Sequence, residues 1–326
     1  MAYWRKLTWF ALCLFVAGCR DKGDSCEDCS QLARPFLAVA SAVGGELAFF
    51  NPITGVYLGG GELAGWATAC ELTQIGDRLI VTDNVVGAMS IYALPDVDRL
   101  EQLSIAGTPI DLRVSANSGS AHLITHNGRY YRVSLSTLDT DTNATGFDPR
   151  RLRLRPPTDF QTWIACRGDS TIRVVQAQGL QEIRRIELPA YCSDIEFSPD
   201  GARAYCALPE RDELWVVDAE TGAVVDTIAV VGAAIDLAMS LDGRYLMAAD
   251  SGHGDVGVFD LVAGTTSAIR CGTRAIRPRY SHASEAFFVI CPGQSYVLRV
   301  DPHTTPPTVT DTLQVEAIPQ CMAILE

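Results

Sequence analysis

The chain is poor in the residues that carry most enzymatic chemistry. Its five histidines, His122, His126, His253, His282 and His303, show no HxH or HExxH ligand spacing. It has no GxSxG elbow, no P-loop and no GxGxxG between a strand and a helix. Spacing therefore implies no metal and no cofactor. Basic residues are also scarce: 26 Lys and Arg stand against 39 Asp and Glu, a formal net charge of −13. That balance excludes a duplex nucleic-acid binder, which needs a basic footprint to release counterions. It equally opposes adhesion of the folded surface to anionic lipid. Long apolar runs are missing too. The one run, from Leu7 to Ala17, is shorter than the roughly 20 apolar residues a spanning helix requires. Beyond it we find no helical periodicity.

What the chain has is repetition. Residues 192–222, CSDIEFSPDGARAYCALPERDELWVVDAETG, read as strand, Ser-Pro-Asp-Gly turn, strand, polar loop, strand and tight turn. The unit returns as AIDLAMSLDGRYLMAADSGHGDVGVFDLVAG, with Asp260 in place of Asp218. Aligning the third strands puts Phe50, Tyr92, Val133, Val175, Val217, Phe259 and Val300 in one register, at steps of 42, 41, 42, 42, 42 and 41 residues. Seven four-stranded units at this period predict an all-β, seven-bladed β-propeller over residues 35–326. The unit ending at Gln176 is the most degenerate. Its first strand is expected over 151–155 and its second over 162–166, with 137–146 as an outer strand before it.

The two ends predict how the ring shuts. The first unit starts abruptly at Phe36 with what matches a second strand, and residues 318–326 match a first strand and then stop. The C-terminal strand should therefore complete the N-terminal blade and remove an open sheet edge. Deleting the last nine residues should cost far more than their number suggests.

At the N-terminus, Arg5 and Lys6 precede the apolar run, which ends in Val16-Ala17-Gly18-Cys19. Charge, then apolar core, then small residues is the layout of a secretory signal. The last four residues resemble the bacterial lipobox. The resemblance implies a signal peptide over 1–18 and lipidation of Cys19 after cleavage. A multiply acylated Cys19 would anchor the protein to a membrane without any spanning helix. Arg20, rather than Asp, follows the cysteine, which by the sorting rule of that family favours the outer membrane, on its periplasmic or surface face, over the inner. Residues 19–34 read as the lipidated cysteine and a polar tether. Cys26 and Cys29 have CxxC spacing without the context of a haem, zinc or thioredoxin-like site.

SPDGARAYCAL, LWVVDAETGAVVDTIAV and IDLAMSLDGRYLMAAD together resemble the YVTN-type propeller repeat, most closely over 192–260. That resemblance specifies a fold more than an activity. Its known members bind, interact or form surface layers, and lactonases share the architecture. We therefore expect a binding or scaffold module for a protein or small-molecule partner. A lactonase-like hydrolase working at the channel mouth is the alternative. Loops between second and third strands should cluster on one face, giving His253, Asp250, Asp255, Asp83, Asn84, His126 and Asn127 as a candidate binding face. Asp111, Asp194, Asp236 and Arg277 fall in one column of the inner strands and are expected to ring the channel mouth. Their other reading is that they solvate the rim and cap turns. The Asp column of Asp218, Asp260 and Asp301 opens turns and is read as structural. Seven cysteines fall in the propeller. An exported address permits Cys70–Cys321, Cys166–Cys192 and Cys271–Cys291 as disulfides, with buried free thiols as the alternative.

Overall fold

The computed structural model describes residues 34–230 and 232–326. The expected signal peptide over 1–18, the expected lipidation at Cys19 and the Cys26/Cys29 pair lie outside the described residues. Among those described, the strands form seven four-stranded antiparallel sheets and one 3-10 turn, Pro292–Gln294. None of their helices is long and apolar enough to cross a membrane. Blades 2 to 7 occupy 69–104, 109–144, 149–187, 194–229, 234–270 and 276–314 in chain order, each running from inner to outer strand. Each inner strand packs on the next, and that of blade 7 packs on Pro319–Leu325.

Blade 1 is built from both ends of the chain. Pro319–Leu325 is its inner strand and pairs antiparallel with Phe36–Ser41, setting Leu325 opposite Phe36 and Cys321 opposite Ala40. The closing strand buries Cys321, Met322, Ala323 and Leu325. Just past it, the Glu326 carboxylate accepts the backbone N–H groups of His282 and Ala283, both at 2.7 Å, tying the closure to a turn of blade 7.

The burial pattern follows from blade stacking. A second strand is covered on both faces by neighbouring blades, so Phe36–Ser41 and Ala286–Cys291 are buried at every residue. That is why these segments read as continuous apolar runs rather than alternating ones. The outer strands face water, and Thr140–Ala144 is exposed throughout.

Turn chemistry repeats with the blades. Ser198 Oγ donates to Asp200 Oδ1 at 2.6 Å and accepts from Arg203 N at 2.9 Å; Gly201 takes φ +68° beside them. Ser240, Asp242 and Tyr245 repeat the arrangement in blade 6. The Asp column is structural, as expected: Asp218 Oδ1 accepts Thr221 N at 2.8 Å, and Asp260 Oδ1 accepts Val262 N and Ala263 N. The first-to-second strand turns lie at one end of the ring, here the turn face. The second-to-third loops and the blade-to-blade crossovers lie at the other, the crossover face.

Candidate functional site

The inner strands carry charge at every second residue around apolar ones: Asp111 and Arg113, Arg151 and Arg153, Asp194 and Glu196, Arg277 and Arg279. In the first three pairs a period of two sends both members to the same side of the strand. With Glu71 and Asp236, these residues make an ion-pair lattice of five carboxylates and five guanidiniums inside the ring. The three aspartates, Asp111, Asp194 and Asp236, do the same work in blades 3, 5 and 6. Asp111 Oδ2 accepts Leu152 N at 3.0 Å, Asp194 Oδ2 accepts Leu237 N at 2.9 Å, and Asp236 Oδ2 accepts Arg277 N at 2.9 Å. Each carboxylate thus caps the inner strand of the following blade while an arginine neutralises it. Arg277 Nη1 donates to Asp111 Oδ1 at 2.9 Å, and Arg153 Nη2 to Asp194 Oδ2 at 2.7 Å. Arg151 donates to Asp236 through both Nε and Nη2.

Arg277 does not share the column expected of it. By pairing, Asp111, Asp194 and Asp236 oppose Ile124, Ala207 and Ala249, and the equivalent residue of blade 7 is Ile276, opposite Ile290. Arg277 follows at a register shift with φ +51°, a left-handed conformation uncommon for arginine. The irregularity brings its guanidinium into the same lattice from a neighbouring position.

Electrostatics separate the carboxylates. Burial alone would raise Asp111, but Arg113, Arg277, Arg151 and Arg153 together hold it far below the usual carboxylate range. Asp236 is lowered in the same way, Arg151 and Arg277 overcoming its burial. Asp194 and Glu196 are raised, because burial outweighs their arginines; Asp236 adds repulsion at Asp194, and Asp194 adds it at Glu196. Burial, with Arg153 close by, pushes Arg113 down to about 10.

At the crossover face the lattice ends in a mouth of about 210 Å³, lined by Thr68, Ile110, Arg150, Arg151, Ile235, Asp236, Arg274, Ile276, Arg277 and Gln320. Four arginines and one aspartate line it, in a chain that is acidic overall. The loops around it hold the other expected residues, several of them occupied by structure. Asp83 Oδ1 accepts Val85 N and Val86 N at 2.8 and 3.1 Å, and Oδ2 accepts Trp66 N at 2.9 Å. Asn84 N donates to Thr68 Oγ1 at 3.1 Å. Asp250 repeats the role in blade 6, accepting Gly252 N at 2.7 Å and holding His253 Nδ1 at 2.7 Å. That hydrogen bond raises the His253 pKa although the ring is largely exposed. His253, Asp250 and Asp255 line an open groove of about 670 Å³ with Arg270 and three glycines. His126 stands 3.3 Å from Asp148, and Asn127 Oδ1 accepts Thr125 Oγ1 at 2.6 Å. Of the four residues expected at the channel mouth, Asp236 and Arg277 line it, whereas Asp111 and Asp194 lie fully buried within the bore. Asp83 and Asp250 are internal clamps of the surrounding loops.

A second polar cluster, on the turn-face side of blades 3 and 4, was not anticipated. His122 bridges Ser120 Oγ at 2.8 Å and Tyr130 OH at 2.6 Å, and Tyr130 meets Thr162 Oγ1 at 2.8 Å. Burial pushes the His122 pKa down to about 4, so the ring is neutral.

Cys271 and Cys291 form a disulfide across the crossover from blade 6 to blade 7, with Cα atoms 6.0 Å apart. The Cys166–Cys192 pairing is not made. The Cys192 thiol neighbours Cys206 in its own blade, because Cys206 opposes Ile195, while Cys166 packs beneath Gly146. Cys70 and Cys321 are neighbours but remain thiols. The five free cysteines among the described residues are all buried.

Fold and bore together define a closed seven-bladed β-propeller whose channel is filled by an arginine–carboxylate lattice. No family model and no curated protein matches the sequence. Solved structures do match the fold. A functionally unknown protein from Desulfotomaculum acetoxidans is similar with a TM-score of 0.76 at 14% identity, over 89% of this chain and 99% of that one. A candidate 6-phosphogluconolactonase from Bacteroides fragilis gives 0.73 at 16% identity, over 93% and 100%. The Cps50 (Swd1) β-propeller domain from Myceliophteria thermophila gives 0.66 at 13%, over 78% and 88%. At these identities the likeness is one of fold.

Proposed function

We propose that this protein is a binding module of the bacterial cell envelope, lipid-anchored through Cys19, whose crossover face receives its partner. The lipobox-like Val16-Ala17-Gly18-Cys19 supports the anchor, with Arg20 favouring the outer membrane. The repeat pattern supports kinship with YVTN-type propellers. One observation carries the choice of binding over catalysis. Asp111, Asp194 and Asp236, the carboxylates best placed to act as bases or ligands in the bore, each hold a backbone N–H of the next blade and an arginine. A carboxylate so engaged gives up two strong hydrogen bonds before it can accept a proton or bind a cation.

The second reading is a lactonase-like hydrolase. It draws on the mouth beside Asp236 and on the fold shared with a candidate 6-phosphogluconolactonase. Hydrolysis of simple δ- and γ-lactones by the full chain separates the two. The binding reading expects only the background rate, unchanged by Asp236→Asn. Turnover above background that Asp236→Asn abolishes would establish the hydrolase.

A further inference from the structure

The crossover face is divided in character. On blades 1 and 2 it exposes a row of large apolar side chains: Trp66 is 47% exposed, Val85 62% and Val86 63%. Val43 and Ile318 extend the row, joined by the hydrogen bond from Ala42 N to Ile318 O at 3.0 Å. The row is rigid, because the single Asp83 carboxylate fixes the backbones of Trp66, Val85 and Val86. Contiguous exposed apolar groups mark interaction sites, and pre-fixed ones lose little freedom on binding.

The row ends where the mouth begins. Thr68 links them, its carbonyl accepting Arg277 Nη2 at 3.3 Å and its hydroxyl accepting Asn84 N at 3.1 Å. The rim of the mouth also holds two arginines that the neutral lattice does not use, Arg274 in the crossover into blade 7 and Arg150 in blade 4. Arg274 is exposed and forms no ion pair among the described residues. Arg150 reaches Asp148 at 3.2 Å but shares it with Arg167 and His126, and its buried Nε has no hydrogen-bond partner.

Resting on the binding-module reading, we propose that this face takes an extended acidic segment of a protein partner. An apolar side chain of the segment sits on Trp66, Val85 and Val86, and its carboxylates lie over Arg150 and Arg274. The charge of −13 on the whole chain repels such a segment elsewhere and so fixes its register at this cationic opening. A free carboxylate or phosphate would use the arginines alone and leave the apolar row uncovered.

Selection of a random peptide library displayed on phage against the full chain tests this. The expected winners carry Asp or Glu around one large apolar residue. Their binding, followed by fluorescence polarisation, should weaken with salt and fall at least about tenfold in Arg274→Glu and in Trp66→Asp. Arg274→Glu breaks no ion pair, so it tests the charge without threatening the fold. Leu241→Asp, on the turn face, should leave binding unchanged. Winners without acidic residues that still need Trp66 would overturn the acidic assignment and leave the binding reading intact. Acidic peptides indifferent to Trp66→Asp would reduce the face to a simple anion site and overturn the proposal, as would a selection that enriches nothing.

Discussion

Arg277 Nη1 reaches across the bore from blade 7 to Asp111 Oδ1 of blade 3 at 2.9 Å, joining two blades that are not neighbours in the ring. The contact is buried, with 8% of the Arg277 side chain and none of Asp111 exposed. The lattice around it therefore works as a hub to which the inner strands are tied.

Removing one partner of this pair leaves the other charged and buried. Asp111→Ala also orphans Leu152 N, and should destabilise the fold by about 3–5 kcal/mol in chemical denaturation. Asp194→Asn should cost clearly less than Asp236→Asn. Burial, together with Asp236, raises the Asp194 carboxyl towards its neutral form, whereas Arg151 and Arg277 hold Asp236 ionised. The depressed pKa values of Asp111 and Asp236 fix the acid response. Their contribution is complete above the unfolded value near 3.9 and is lost progressively as the pH falls from there through their much lower folded values. Equal losses in the two Asn variants would contradict this division.

His122 gives a different pH signature. Its folded pKa of about 4 lies below the unfolded value of about 6.5, so the unfolded chain takes up its proton first. Stability is therefore full above pH 6.5, declines as the pH falls, and stops declining from this source below about 4. The whole decline amounts to ~3 kcal/mol. His122→Gln should flatten that part of the stability–pH curve. An unchanged curve would mean that His122 is not titrating as its burial demands.

Truncation of residues 318–326 removes the inner strand of blade 1 and the Glu326 clasp on blade 7. Met322 and Leu325 alone account for about 3–6 kcal/mol of apolar burial, comparable with the net stability of a domain. The truncated chain should lose its cooperative melt and bind a hydrophobic dye. A sharp transition at the original temperature would show that ring closure is dispensable.

Replacing Cys19 by Ala tests the anchor. The intact chain should partition with membranes after cell lysis and give an N-terminal peptide heavier by its acyl chains. The variant should be released to the soluble fraction. Membrane retention of Cys19→Ala without lipid mass would remove the lipoprotein from the account.

Fold was far more legible than site, for a physical reason. Blade number, ring closure and the structural Asp column follow from local pattern, since Ser198-Pro-Asp-Gly201 and Asp218-Ala-Glu-Thr-Gly222 form their turns from their own side chains. The lattice is non-local: Arg277 meets Asp111, and Arg151 meets Asp236, across large gaps in sequence. Its three aspartates were visible as a column and Arg277 was assigned to that column wrongly, whereas Arg113, Arg151, Arg153, Glu71, Glu196 and Arg279 were overlooked. The usable signal was charge at every second residue of an inner strand, as in Arg151-Leu-Arg153. A register shift such as the one at Arg277 leaves no such trace. The cysteines make the same point: Cys192, just ahead of the inner strand Asp194–Phe197, lies next to Cys206 of the same blade, not next to Cys166 across a junction.

The claim that the crossover face is the working surface is tested most directly by photocrosslinking in intact cells. A photoreactive residue replaces Val86 on that face or Leu241 on the turn face, each side chain being more than half exposed. The account predicts a discrete, higher-mass adduct from position 86 that disappears in Arg274→Glu, and none from position 241. Adducts from position 241 alone, or equally from both, would contradict it.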